Sequence, residues 1–204
     1  LSQLSQTLFY DRRNSTIDPT DGYFISGTTD FAGLGGNTKL IRLNLRGAYY
    51  RELFEDINLI LGGDAGRVFE WGGRDVRYNE RFFLGGNNLR GFREAGAGPR
   101  DTATSDALGG QTIVTFSAET RFPIGLPEEL GIKGAFFIDT GLLTDSVDRG
   151  GGGIRTGGGV RASVGVGANW RTPIGPVRFD FAQAVLEQSF DRTQFFRFSF
   201  ATRF

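Results

Sequence analysis

Arginine and carboxylate side chains are the groups through which this chain could do chemistry, because its 204 residues contain no histidine and no cysteine. Without histidine the commonest general base and metal ligand is missing. Without cysteine there is no thiolate ligand, and no disulfide framework is expected. We therefore expect no catalytic residues, no metal site and no cofactor. What remains is ionic chemistry, since a guanidinium binds carboxylates through parallel hydrogen bonds and a buried guanidinium requires such partners.

The charge balance argues against a nucleic-acid partner. The chain has 23 basic and 23 acidic side chains, whereas nucleic-acid-binding domains usually carry a basic stripe. No stretch of about 18 consecutive apolar residues predicts a transmembrane helix. Strands of a membrane-spanning β-barrel need only about 9–11 residues and alternate apolar with polar side chains, so a barrel is compatible with this composition.

Period-two alternation of apolar and polar residues is the main secondary-structure signal. It is clearest at the C-terminal end, where Arg197, Ser199 and Arg203 share one face and the other face carries Phe196, Phe198, Phe200 and Phe204. The same alternation predicts nine strands, at about residues 2–10, 22–32, 38–50, 57–70, 111–122, 132–141, 159–171, 176–186 and 194–204. The first of them has the weakest pattern.

The connections between the predicted strands alternate in length. Short turns and longer, glycine-rich loops follow each other along the chain, the turns at 51–56, 123–131 and 172–175 and the loops at 72–110, 142–158 and 187–193. Short turns on one side and long loops on the other are typical of outer-membrane barrels.

Aromatic residues recur at the short-turn ends of the predicted strands. Alternation places Tyr49, Phe122, Trp170 and Phe204 on the apolar face at that end. This arrangement is typical of an aromatic girdle at a membrane interface. The alternative is a soluble β-sandwich whose core places rings at strand ends.

Four sequence motifs resemble those of one protein family, in the family's order. The 72–110 connection contains Leu89-Arg90-Gly91-Phe92, which resembles the (V/I)RGF tip of the sixth extracellular loop in outer-membrane assembly factors of the BamA type. TamA and the two-partner secretion transporters are relatives that share this loop. The other resembling segments are the turn Tyr10-Asp11-Arg12-Arg13 with Pro19-Thr20-Asp21-Gly22, the strand signature Phe137-Ile138-Asp139-Thr140-Gly141, and the penultimate-strand start Gly175-Pro176-Val177-Arg178-Phe179.

The resemblance implies an all-β fold, an antiparallel transmembrane β-barrel of about sixteen strands, with the 72–110 loop inserted into the lumen. This chain would supply the C-terminal eight or nine strands, and the N-terminal strands and the periplasmic POTRA domains would be absent from residues 1–204. The resemblance also implies a place in the bacterial outer membrane, contact with its lipids, and a role in folding and inserting nascent β-barrel proteins. Accessory assembly lipoproteins would bind regions outside this chain.

The resemblance further implies partners for the loop arginine. In the family this arginine is held in the lumen by two acidic residues, whose positions match Glu119 and Asp139 here. Strand alternation places both on the lumenal face of consecutive strands. We therefore predict that Arg90 pairs with Glu119 and Asp139, that Gly91 permits a close backbone approach, and that Phe92 packs against the inner wall.

The last strand would form one side of a seam. In the family the first and last strands are weakly paired, and an exposed strand edge can template an incoming strand. Here that edge is residues 194–204. Gly165 and Gly167 could loosen the third-last strand, but we interpret them as small residues that fit the space on the lumenal face. The remaining lumenal arginines are interpreted as solvated lining, namely Arg46, Arg161, Arg178, Arg197 and Arg203.

Other functions are compatible with part of this pattern. A passive porin or a two-partner secretion pore would share the alternation and the girdle, although residues 126–131 and the full motif set look closer to the BamA branch. Conductance without stimulated barrel folding would favour a pore. A soluble β-sandwich binding module would partition into buffer rather than detergent. A barrel lipase or protease would typically use histidine, which the chain lacks.

Overall fold

Nine antiparallel strands form one sheet in the computed structural model, which describes residues 3–33, 39–71, 76–144, 153–155, 159–173 and 175–200. The strands are β1 (Gln3–Asp11), β2 (Gly22–Ala32), β3 (Leu40–Phe54), β4 (Ile57–Glu70), β5 (Thr112–Pro123), β6 (Ile132–Thr144), β7 (Arg161–Thr172), β8 (Gly175–Leu186) and β9 (Phe196–Phe200). Each strand pairs with the one that follows it in the chain, in the order β1 to β9. The predicted all-β antiparallel architecture is confirmed.

Two strands extend further than their alternation predicts. β3 continues to Phe54, because Glu52 pairs with Asn58 and Phe54 with Ile57 across a tight turn. Asp56 closes that turn with a φ of 62°, a left-handed conformation that aspartate tolerates better than most residues. β6 continues to Thr144, paired with Thr112. The rest of the predicted 142–158 loop and the residues after Phe200, which include Arg203 and Phe204, lie largely outside the described residues.

The outward face of the sheet is apolar and open to its surroundings. Successive strands set exposed side chains beside one another in register, as Phe136, Val166 and Phe181 do across β6, β7 and β8. Aromatic pairs join neighbouring strands on this face, with ring centroids 5.0 Å apart for Phe122 and Phe136. Such pairs stabilise adjacent strands. A continuous apolar outward face is what a barrel wall presents to lipid.

Three of the four predicted girdle residues, Tyr49, Phe122 and Trp170, lie on this outward face near the turns, and Phe204 lies outside the described residues. Tyr49 and Trp170 are both exposed, and Trp170 stands opposite Ile132 at the start of β6. Tyr10 and Tyr23, which the sequence analysis missed, extend the row, since Tyr23 pairs with Tyr49 and the rings of Tyr10 and Tyr23 are 6.0 Å apart. The ring of an interfacial tyrosine or tryptophan can rest on lipid while its polar group reaches water.

Part of the opposite face is covered by the connection between β4 and β5, of which residues 76–111 are here named the inner loop. Three isolated β-bridges fold it back on itself, between Phe82 and Gly110, between Leu84 and Ala97, and between Arg100 and Ala107. Leu84, with Leu89 and Phe92, is fully buried against residues of the strands. The face under the inner loop is therefore the lumenal face, and the predicted lumen-inserted loop is confirmed.

The inner loop also carries a polar framework of its own. Arg100 is buried and donates hydrogen bonds of 2.8–3.0 Å to the carbonyl oxygens of Ala95, Gly96 and Ser105. Burial, together with the neighbouring charge of Arg192, lowers the pKa of Arg100. Three carbonyl acceptors around one guanidinium fix the path of residues 95–105.

Among the described residues, β1 and β9 each pair with one neighbour, so the sheet has two edges. All residues of β1 are exposed except Asp11, which is partly buried. β9 pairs with β8 over five residue pairs, from Val177 with Phe200 to Phe181 with Phe196. No helix in the described part of the chain is long and apolar enough to cross a membrane.

The outward face predicts a test of membrane contact. Val166→Arg places a charge on the outward face in the middle of β7, and we expect it to lower the free energy of unfolding in lipid bilayers by about 2–4 kcal/mol. Thr28→Arg, on the lumenal face of β2 opposite Thr7, is the matched control and should change it by less than about 1 kcal/mol. Urea unfolding in vesicles measures both, and equal losses would contradict the assignment of the faces.

Candidate functional site

Arg90 lies at the tip of the inner loop, and its side chain is 9% exposed. Its Nε and Nη2 donate to the two oxygens of Asp139 at 2.6 Å each, the parallel arrangement that a guanidinium favours. Its Nη1 donates to Glu119 at 2.8 Å, and its backbone N–H donates to Asp139 at 3.2 Å. The structure thus brings together the three residues that the sequence analysis named.

The strands determine where these carboxylates point. Ser117 and Glu119 are two residues apart on β5, so their side chains share the lumenal face. In register, Ser117 stands opposite Asp139 on β6. The Ser117 hydroxyl donates to Asp139 at 2.7 Å and accepts from Arg90 at 3.0 Å. The serine therefore joins the two strands to the loop at one point.

An aromatic ring completes the seat of the guanidinium. Phe137 lies on the same face of β6 as Asp139, and its ring centroid is 3.5 Å from Cζ of Arg90. A cation over a buried ring is attracted by the ring's quadrupole. Gly165 on β7 leaves room for this ring, because a Cβ there would fall 2.4 Å from Cζ of Phe137. This packing agrees with the interpretation of Gly165 as a small residue that fits the space on the lumenal face.

The residues around Arg90 bring the loop backbone close to the wall. Gly91 has a φ of +86°, and a Cβ on it would lie 2.9 Å from Cβ of Ser163. Only glycine meets both the left-handed backbone and the close approach without strain. Leu84 lies over Gly141 on β6, where a Cβ would be 2.7 Å from it. Leu89 and Phe92 are fully buried beside Leu84.

The inner loop also pairs with the backbone segment that leads into β9. Arg93 donates its N–H to the carbonyl of Arg192 at 2.9 Å, and Arg192 donates to Gly96 at 2.8 Å. Gln194 donates to Gly91 at 2.9 Å, and Phe92 and Thr193 form an antiparallel bridge. A short ladder thus attaches the loop to the chain immediately before the last strand.

On β9 itself, the predicted seam residues Phe196, Phe198 and Phe200 are exposed on the outward face. Arg197 faces the lumen, donates to Asn87 of the inner loop at 3.2 Å and to Gln194 at 3.1 Å. The fourth predicted seam residue, Phe204, lies outside the described residues.

Two arginines that the sequence analysis interpreted as solvated lining are engaged in buried networks, so that interpretation is wrong for them. Arg161 is 1% exposed and donates to Asp191 at 3.0 Å. Arg178 is 23% exposed and contacts Glu119 and Asp180. The interpretation holds for Arg46, whose side chain is 68% exposed. Alternation predicts on which face of the sheet a side chain lies. Whether that side chain is buried depends on whether the inner loop covers that part of the face.

The described residues contain no group of three or more acidic, histidine or cysteine side chains arranged to hold a metal ion. The acidic groups near Arg90 are bonded to guanidinium groups instead. The chemistry of this site is therefore ionic attachment of a loop to a wall.

Arg90→Lys tests whether the guanidinium geometry matters. An ammonium cannot reproduce the parallel bonds to Asp139 together with the bond to Glu119, so we expect about 3 kcal/mol lower stability against urea. Arg93→Lys is the matched control, because Arg93 is an exposed arginine of the same loop whose side chain bonds the carbonyl of Thr193 and no carboxylate of the described residues. Equal unfolding midpoints for Arg90→Lys and the unaltered protein would show that the parallel hydrogen bonds of the guanidinium are not needed.

Gly91→Ala separates crowding from backbone strain when it is compared with Gly125→Ala. Gly125 also has a positive φ, +77°, but a Cβ there would meet nothing within 4 Å. We expect Gly125→Ala to cost about 1 kcal/mol from the left-handed backbone. Gly91→Ala should cost about 3 kcal/mol, because crowding against Ser163 is added. Identical losses in denaturant titrations would mean that the wall beneath Gly91 is not tightly packed.

Comparison with known proteins places this geometry in a family. The model of the Omp85 superfamily domain matches residues 1–204. The outer membrane protein assembly factor BamA of Neorickettsia risticii is 36% identical over 207 residues, covering 100% of this chain and 27% of the relative. BamA of Neisseria meningitidis is 25% identical over 219 residues, covering 95% of this chain and 28% of the relative. This chain spans about a quarter of the length of these relatives.

The match extends to a eukaryotic protein and to a solved structure. A SAM50-like protein of Schizosaccharomyces pombe is 32% identical over 127 residues, covering 59% of this chain and 26% of the relative. The crystal structure of BamA from Haemophilus ducreyi lacking POTRA domains 1–3 has a TM-score of 0.82 at 22% identity, covering 96% of this chain and 41% of that one. The chain therefore belongs to the Omp85 superfamily, and its nine strands are part of an outer-membrane β-barrel of that superfamily.

Proposed function

We propose that this chain is the C-terminal part of the barrel of a bacterial outer-membrane assembly factor, which folds β-barrel proteins and inserts them into the membrane. The observation that carries the proposal is the buried attachment of Arg90 to Glu119 and Asp139 in a chain of the Omp85 superfamily. The names of its relatives in Neorickettsia risticii and Neisseria meningitidis support this role. Barrel strands that precede this chain, and POTRA domains before them, are part of the proposal.

The packing of the inner loop against the lumenal face favours assembly over passive conduction. The inner loop packs Leu84, Leu89 and Phe92 against the wall and spans from β4 to the segment before β9. A passive porin needs a water-filled channel through its barrel, which a packed loop obstructs. We therefore propose that the loop supports the wall during assembly rather than guarding an open pore, and that the protein is not an enzyme.

We further propose that the edge of β9 is one side of a lateral seam. Its backbone groups on the side away from β8 have no strand partner among the described residues, and such an edge can pair with an incoming strand. In the whole protein the first barrel strand would meet β9 there, and a nascent β-barrel protein would add its strands at that point. Outer-membrane lipids would contact the outward face, and accessory lipoproteins would bind outside this chain.

Reconstitution tests the proposed activity. The full-length protein in vesicles of phosphatidylethanolamine and phosphatidylglycerol should speed the folding of a urea-denatured barrel client, measured by its heat-modifiable electrophoretic mobility. Arg90→Lys should slow this folding by about tenfold, equivalent to about 1.4 kcal/mol, and Arg93→Lys should leave it unchanged. Ion conductance without any gain in client folding over empty vesicles would instead identify a pore.

A disulfide lock tests the seam. The chain contains no cysteine, so one cysteine at Ser199 of β9 and one in the first strand of the full barrel would give a defined crosslink. We expect the oxidised protein to lose client folding and the reduced protein to regain it. The single Ser199→Cys variant under oxidising conditions is the control, and full activity of the crosslinked protein would rule out a lateral seam.

A further inference from the structure

Arg178 and Asp180 form a second ionic layer behind Arg90. They are two residues apart on β8 and share its lumenal face. Nε of Arg178 donates to both oxygens of Asp180, at 2.8 and 2.7 Å. The Asp180 side chain is almost fully buried. A buried carboxylate needs such a partner, so this pair is built into the wall.

Arg178 also reaches across the lumenal face to Glu119. Its Nη1 donates to Oε1 of Glu119 at 3.3 Å, and its Nη2 donates to Oε2. Oε2 is the same oxygen that accepts from Arg90. β5 and β8 are not neighbours, since β6 and β7 lie between them in the sheet. The contact is therefore a tie across two strands, which backbone pairing alone does not provide.

The charges of this network balance. Glu119 accepts from Arg121 at 2.8 Å in addition to Arg90 and Arg178, and Asp180 lies 3.7 Å from Nη1 of Arg90. With Asp139, three carboxylates face three guanidiniums. Among the described residues, removing Arg178 would leave Asp180 with its 3.7 Å contact to Nη1 of Arg90, so Arg90 would be drawn away from Glu119.

The neighbouring strand is shaped for this arrangement. Gly167 on β7 stands opposite Asp180 in register, and a Cβ at Gly167 would lie 2.6 Å from Oδ1 of Asp180. A side chain there would displace the carboxylate from Arg178. The two lumenal glycines of β7 thus leave space for Phe137 and for Asp180.

We propose that Arg178 is a positioning residue, which holds Glu119 in place for Arg90 and attaches the docked inner loop to the penultimate strand. The consequence for client folding rests on the proposed function. The docking of the loop does not, and it is measured separately. The competing account is that Arg178 serves only as the local partner of Asp180, with no effect on the loop.

Trypsin accessibility of the inner loop tests the proposal in the full-length protein in vesicles. Arg90 and Arg100 are buried, so cleavage after them reports release of the loop, quantified by mass spectrometry. We expect Arg178→Gln to raise this cleavage roughly tenfold, because Glu119 loses its tie and Asp180 its partner. Arg46→Gln is the matched control, since Arg46 also pairs with a lumenal aspartate, Asp64, but lies outside the network. It should cleave at the unaltered rate.

An exchange of the two residues separates the competing accounts. Arg178→Asp with Asp180→Arg keeps an ion pair on β8 but turns a carboxylate toward Glu119. We expect the loop to be cleaved at least as fast as in Arg178→Gln. Protection equal to the unaltered protein, in either variant, would overturn the proposal and leave Arg178 as a local partner of Asp180.

Arg178→Lys keeps the test valid if the stronger variants fail to fold, as judged by heat-modifiable mobility. One ammonium cannot span Glu119 and Asp180 as the guanidinium does, so we expect cleavage to rise about threefold, and an unchanged rate would count against the proposal. Client folding is followed in parallel. Loop release without slower folding would contradict the proposed function while the positioning role stands, and normal docking with normal folding would reject the positioning role alone.

Discussion

A desolvated guanidinium is the constraint on which the rest of this structure depends. Arg90 is carried by a loop into a nearly dry position, where an uncompensated charge would cost several kcal/mol. Its compensation comes from Glu119 and Asp139, which are fixed on adjacent strands by the register of β5 and β6. Because those carboxylates cannot move independently of the sheet, the loop can dock in one position only. The connection between β4 and β5 is thereby fixed to the sheet.

The strands accommodate the inner loop through glycines, which lack side chains, as well as through direct contacts. Gly141 leaves room for Leu84, Gly165 for the ring of Phe137, and Gly167 for Asp180. Glycine within a strand is unfavourable by itself, since it adds backbone entropy and no packing. Here the deficit is offset by the packing and ionic contacts that the missing side chains permit. The lumenal glycines therefore belong to the same interaction as the charges.

The sequence predicts the strands well, but it predicts poorly how deeply the lumenal side chains are buried. Period-two alternation is a local property, and it was sufficient for all nine strands and for the lumenal orientation of Glu119 and Asp139. It treats Arg46 and Arg178 alike, although one is largely exposed and the other lies in the ionic network. The difference depends on which part of the face the inner loop covers, and that is a long-range property. Asp191 lies in a turn with no periodicity, so no local signal marked it as a partner of Arg161.

The position of the last strand depends on two attachments of different kinds. Among the described residues, β9 pairs with β8 over five residue pairs, and the segment before it pairs with the inner loop through Gly91, Arg93 and Gly96. The second attachment leads directly to the seat of Arg90, because Gly91 is its chain neighbour. A displacement of Arg90 therefore removes support from the start of β9. It leaves β2 with its ladders of nine pairs to β1 and eleven pairs to β3. The buried charge of Arg90 and the edge of the sheet are thus connected through a few residues of one backbone.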